Sequence, residues 1–192
     1  MMRDRDRWNR RYREKAGEPA QAAAPFLKKA LPLLPRGTAL DLASGEGRNA
    51  VLLAQAGFDV TAVDISGVAL RRCRALAAES GVKVRTKIAD LSEVEIPRES
   101  YDLIVDFYFL DRRLVPRIRK GLKRGGRVVF ETYTTEHPAL ATGGPSNPRF
   151  LLKPNELLRL FEGFRVLLYR EGVFREGGAR KALASLVAEK RM

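Results

Sequence analysis

The chain is poor in the residues that build disulfides and metal centres. Its 192 residues include one cysteine, Cys73, and one histidine, His137. A lone cysteine excludes an internal disulfide and suits a reducing cytoplasm, the expected location. One Cys and one His are too few for a dedicated zinc site, so no metal is expected. No apolar run approaches the roughly 18–20 residues of a membrane span, so no membrane partner is expected. The opening residues, MMRDRDRWNRRYREKAGEP, lack the apolar core of a signal peptide. There is no internal repeat, no long low-complexity tract and no aromatic-rich RNA-binding signature among the basic residues.

Positive charge is what the chain has in excess. The formal net charge is +13, against a composition that is otherwise ordinary at 45% hydrophobic and 31% charged. Such a balance allows a nucleic-acid partner, an anionic substrate or only an arginine-rich surface. The length suits one globular domain with one sizeable core, expected as a monomer or homodimer.

Residues 3–16 alternate arginine with acid and read as a short helix, on which Trp8, Arg11 and Tyr12 share a face by i, i+3, i+4 spacing. A second helix is expected from EPAQ, with Pro19 in its first turn. The N-terminal 1–36 would thus be a helical cap on a domain spanning 37–192. From residue 38 strands alternate with helices: TALDLA, FDVTAVD, VKVRTKIAD, YDLIVDFYF and RVVFETYT read as strands. The segments between them read as helices, with Ser66 as an N-cap and Gly57 and Gly81 as stops. RRLVPRIRKGLKRGG is expected to be one helix with a Gly-Gly exit. EHPALATGGPSNPRFLLKP reads as a long loop of the kind that forms lids. A short helix, NELLRLF, precedes FRVLLYREGVF and ARKALASLVAEK, a closing antiparallel hairpin. The expected fold is therefore α/β, a doubly wound Rossmann-like seven-stranded sheet. Six strands are parallel, the last is antiparallel, and helices cover both faces.

In such a sheet ligands sit at the carboxyl ends of the strands. Here those ends carry Asp41, Asp64, Asp90 and Asp106. The loop after the first strand, ASGEG, leads into a helix and superficially suits a dinucleotide. Asp41 and Glu46 oppose a pyrophosphate there, which disfavours a dinucleotide dehydrogenase. S-adenosyl-L-methionine removes the conflict, because it has no phosphate and carries a sulfonium and an ammonium. Gly45 and Gly47 would let the backbone approach its methionine portion. Asp64 could accept from both ribose hydroxyls and Asp90 from the adenine amino group, with Leu91 beside the ring.

On these residues the chain resembles the class I S-adenosylmethionine-dependent methyltransferases. LDLASGEGRNAVLLAQAGFDVTAVDIS is similar to that superfamily's first two motifs, IADLSEV to its adenine motif, and YDLIVDFYFL to its fourth. WNRRYRE, GEGRNA and NPRFLLKPNELL are most similar to the small bacterial tellurite-resistance (TehB-like) group. The resemblance implies a cofactor site made of Asp41, Ala43, Gly45, Gly47, Asn49, Asp64, Ile65, Asp90, Leu91 and Asp106. One departure is the short closing hairpin, VFREGGARK, which has Arg175 and Arg180 but no histidine.

Methyl transfer is an in-line displacement, so the protein must align the acceptor and exclude water. A base is needed only for a protonated acceptor. Asp106 and Tyr108, after the fourth strand, and His137, in the long loop, are the catalytic candidates. Trp8, Arg11, Tyr12 and Arg149 are the candidates for holding substrate. The expected acceptor is a small molecule, anionic ones included. RNA methylation and non-catalytic cofactor binding remain the alternatives.

Overall fold

The computed structural model describes residues 2–15, 18, 21–176 and 178–191. The chain forms α1 (Met2–Glu14), α2 (Pro25–Ala30), β1 (Thr38–Leu42), α3 (Arg48–Gln55), β2 (Asp59–Asp64), α4 (Gly67–Glu79) and β3 (Val84–Ile88). β4 (Tyr101–Phe107), α5 (Val115–Gly121), β5 (Leu122–Tyr133), α6 (Glu156–Leu160), β6 (Arg165–Glu176) and β7 (Ala179–Glu189) follow. The strands make one mixed sheet in the order β3-β2-β1-β4-β5-β7-β6. β1 to β5 pair in parallel, and β7 runs antiparallel to both β5 and β6. Strand order reverses between β1 and β4, which opens a crevice at their carboxyl ends.

Alternate residues of the central strands face two apolar layers. Leu40, Leu42, Ile104, Val128 and Phe130 pack on one side with Ile118 and Phe161. Ala39, Leu103, Val105 and Val129 pack on the other with Phe26, Leu53 and Leu70. Strands covered on both faces explain why YDLIVDFYF is apolar almost throughout. Each fully buried Leu or Phe contributes about 1.5–3 kcal/mol, so these layers fix the sheet that carries the loops.

Two helices differ from expectation. Pro19 lies outside the described residues, and residues 21–24 are not helical. The helix begins instead at Pro25, whose fixed φ and missing N–H suit a first helical turn. The segment after β4 forms a tight turn over Arg112–Leu114 and then α5, which stops at Gly121. Residues 122–126 are already extended and enter β5 through an irregular pairing with Tyr101. Gly121 marks the change, because a Cβ there would lie 2.2 Å from Ile96 Cγ2.

Candidate active site

The loops after β1, β2, β3 and β4, together with α1, enclose a cavity of about 690 Å³, within the usual range for small-molecule sites. Asp41, Ala43, Gly45, Asn49, Asp64, Ile65, Asp90 and Leu91 line it, as do Trp8, Arg11, Tyr12 and Tyr108. Residues far apart in sequence are therefore brought to one space. Gly47, His137, Asp106 and Arg149 are not in the lining.

The β1 loop is built by close approach. Gly47 has φ +83°, and a Cβ there would sit 2.3 Å from Cys73 Sγ. Only glycine lets α4 pass this near, so Gly47 supports the loop from behind. Cys73 is buried, and burial raises its thiol pKa to about 11. Gly45 has φ +56°, and a Cβ would sit 2.7 Å from Tyr12 Oη. Its N–H donates to Asp64 Oδ2 at 2.8 Å, while Ser66 N–H donates to Oδ1 at 2.8 Å. Asp64 thus fastens the first two loops together and still presents lone pairs to the cavity. Burial raises its pKa against these backbone donors.

Asp41 is 1% exposed, and its Oδ2 has no hydrogen-bond partner. Burial pushes its pKa up to about 8, with Asp64 adding to the rise and Arg48 and the Ala50 N–H opposing it. Asp90 behaves oppositely: Ser92 N–H donates to its Oδ1 at 2.9 Å and holds the carboxyl below its usual range. Glu46 is ion-paired to Arg72 of α4. Asn49 Oδ1 accepts from Ala24 N–H at 2.9 Å, which ties the segment before α2 to the loop.

α1 closes one side. Asn9 Oδ1 accepts from Ser66 Oγ at 2.8 Å and from Val68 N–H at 3.3 Å, docking the helix on the start of α4. The Trp8 and Tyr12 rings lie 6.0 Å apart, and the Arg11 guanidinium stands 5.2 Å from the Trp8 ring centre.

Besides Gly47, three proposed site residues sit outside the lining. Asp106 alternates with the cavity-side residues of β4, so it points into the opposite apolar layer beside Leu42. Neither of its oxygens has a partner, and burial, reinforced by Asp41, keeps its pKa well above the ordinary value. His137 is 1% exposed. Its Nδ1 accepts from Ala182 N–H at 3.3 Å, which places the proton on Nε2, 2.6 Å from the Gly143 carbonyl oxygen. Both nitrogens are therefore used in holding the loop to β7. Arg149 is exposed, and from its loop only Phe150 reaches the cavity.

The sequence reading missed a polar cluster behind Tyr108. Arg170 Nη2 donates to Glu131 Oε2 at 2.9 Å and Glu176 Oε1 at 2.5 Å. Ser185 Oγ donates to Glu131 Oε2 at 2.7 Å, and Tyr108 Oη donates to Glu176 Oε2 at 3.2 Å. A carboxylate inside the apolar strand RVVFETYT was the available signal, since a buried charge requires a partner. Lys181 and Arg48 also stand 5.0 Å and 5.5 Å from the Tyr108 ring centre.

A methyltransferase-domain family profile matches residues 39–128, which span β1 into β5. The probable S-adenosyl-L-methionine-dependent methyltransferase TehB of Haemophilus influenzae is 30% identical over 140 residues, covering 70% of this chain and 48% of that protein. Hemagglutinin 1 of Eikenella corrodens is 31% identical over 143 residues, covering 70% of this chain and 46% of its own length. The chain spans about half the length of these curated relatives. The crystal structure of TehB from H. influenzae superposes with a TM-score of 0.75 at 19% identity, covering 96% of this chain and 67% of that one. A methyltransferase structure from Methanosarcina mazei gives 0.69 at 19% identity, covering 90% and 100%. The sequence is similar to a methyltransferase-domain profile and to TehB, and the chain shares the fold of the methyltransferase structures.

Proposed function

We propose that the chain binds S-adenosylmethionine in this cavity and transfers its methyl group to a small acceptor on the Tyr108 side. The observation that carries the proposal is Asp41, a buried carboxylate with an unpartnered oxygen in a cavity also lined by Asp64 and Asp90. Ionising this buried group without a partner is costly, and a cationic ligand would supply the partner. A pyrophosphate would worsen the imbalance. The residues present therefore fit a cationic, phosphate-free cofactor.

Bound there, the cofactor supplies an activated methyl group on a sulfonium. Asp64 would accept from ribose hydroxyls, Asp90 from the adenine amino group, and Leu91 and Ile65 would flank the ring. Trp8 and Tyr12 on α1 would exclude water, and Lys181 and Arg48 would favour an anionic acceptor. The resemblance to TehB supports a place near the tellurite-resistance group. Calorimetry with S-adenosylmethionine or S-adenosylhomocysteine tests the proposal. Micromolar binding that Asp64→Ala weakens severely is expected, and a folded protein that binds neither compound refutes it.

The net charge of +13 favours RNA as the second candidate acceptor. Phosphate-driven binding would fall steeply between low and moderate salt. No detectable RNA affinity at low salt removes that candidate.

A further inference from the structure

Tyr108 is the point of contact between the cavity and two buried carboxylates. Its backbone sits at φ +62°, a conformation costly for an aromatic residue and one that recurs at functional sites. Its N–H donates to the Glu131 carbonyl at 2.8 Å, which holds it there. Its ring lines the cavity, whereas Glu131 and Glu176 do not. Glu131 is 0% exposed and has an unpartnered Oε1. One guanidinium, Arg170, serves both carboxylates. The cluster therefore carries one more negative charge than positive, in a setting where an unpaired charge is expensive. It is built to hold one further proton.

We propose that Tyr108 is a proton relay, and that the acceptor is a molecule whose nucleophilic atom carries a hydrogen, such as a thiol or a phenol. The proposal rests on the cofactor assignment above. The acceptor lone pair forms the bond to the methyl carbon, and the carbon–sulfur electron pair stays on sulfur. The acceptor proton passes to Tyr108 Oη while the Tyr108 proton passes to Glu176 Oε2, and the proton later leaves to solvent. Burial and the two carboxylates keep the phenol protonated, so its oxygen can gain a proton only by giving its own away. Burial likewise raises Glu131 above the ordinary carboxylate range. The groups facing the pair are Arg170 from β6, Ser185 from β7, Tyr108, and Tyr133 of β5. Arg48 of α3 and Lys181 of β7 face the Tyr108 ring.

The test follows the Tyr108 Cζ resonance in protein labelled with ¹³C-tyrosine, assigned by Tyr108→Phe, between pH 5 and 9. The resonance is expected to shift as the buried Glu131 changes protonation, and Glu131→Gln should remove that change while Glu176→Gln removes the hydrogen bond that transmits it. S-adenosylhomocysteine binding is measured on the same samples. Binding with a flat Tyr108 resonance overturns the relay alone. Absence of binding overturns the cofactor assignment and the relay with it. With 2-mercaptoethanol or phenol as probe acceptors, Tyr108→Phe should slow S-adenosylhomocysteine release at least tenfold. Turnover of iodide, which carries no proton, unchanged in Tyr108→Phe and without turnover of either proton-bearing probe, overturns the relay.

Discussion

Cofactor affinity should rise with pH, because Asp41 must ionise to meet a cation. The pKa of Asp41 is about 8 in the free protein, set first by burial, then by the opposing influences of Arg48 and Asp64. At pH 6 only about 1% of Asp41 is ionised, at pH 7 about 9%, and at pH 9 about 90%. A ligand that requires the anion therefore binds about 100-fold more tightly at pH 9 than at pH 6, a difference of about 2.7 kcal/mol. The ligand's own ammonium, with an ordinary pKa of about 8, titrates in the opposite sense. Asp41→Asn removes the first effect and keeps the second, so the difference between the two proteins isolates Asp41. Calorimetry in buffers of different ionisation enthalpy also counts protons: near pH 7 the wild type should release close to one more than the variant. Identical pH dependence and proton release in the two proteins would refute the role of Asp41.

Asp41→Asn should also stabilise the ligand-free protein. The folded pKa is raised, so wild-type stability falls as pH rises from about 4 to about 8 and then levels off. At pH 7 the cost approaches about 4 kcal/mol, and thermal unfolding of the variant should show a flatter pH profile and a higher midpoint. Gly45→Ala should loosen α1, because the new Cβ meets Tyr12 Oη at 2.7 Å. Tyr12→Phe should restore part of the lost cofactor affinity in a double-mutant cycle, the rest being the cost of φ +56°. Arg170→Met leaves Glu131 and Glu176 buried without a countercharge and should cost about 3–5 kcal/mol in chemical denaturation at neutral pH. The loss should shrink as the pH is lowered and the carboxyls take up protons.

That Asp41, Gly45, Asp64 and Asp90 share one cavity was legible because they are local to short strand-to-helix loops. Asp41, Gly45, Asp64 and Asp90 each follow or end a strand whose apolar pattern announces it. The polar cluster behind Tyr108 was less so. Glu131, Arg170, Glu176 and Ser185 come from three strands, and only the pairing of β7 with β5 and β6 brings them together. His137 looked available because it lies in a Gly- and Pro-rich loop. Its engagement with Ala182 and Gly143 depends on contacts across 45 and 6 residues. The helix expected through residues 112–126 fell short because propensity could not foresee that Leu122 pairs with Tyr101 of β4 and that residues 122–126 are extended. Asp106 illustrates a finer point. Its position at a strand end was visible, but the side of the sheet it faces follows from register.

β7 pairs with β5 only from Leu183 onward, so among the described residues 179–182 have β6 as their sole strand partner. At roughly 3.3 Å per residue the hairpin overhangs the sheet by about 13 Å. That overhang contributes Lys181 and Glu176 to the Tyr108 side and nothing to the loops around Asp41, Asp64 and Asp90. The hairpin's share of the cavity and the loops' share are thereby carried by separate stretches of the chain. Insertions, deletions or grafts at the hairpin tip would alter the Tyr108 side and leave the loops around Asp41, Asp64 and Asp90 unchanged, which makes this tip the natural place to diversify a library.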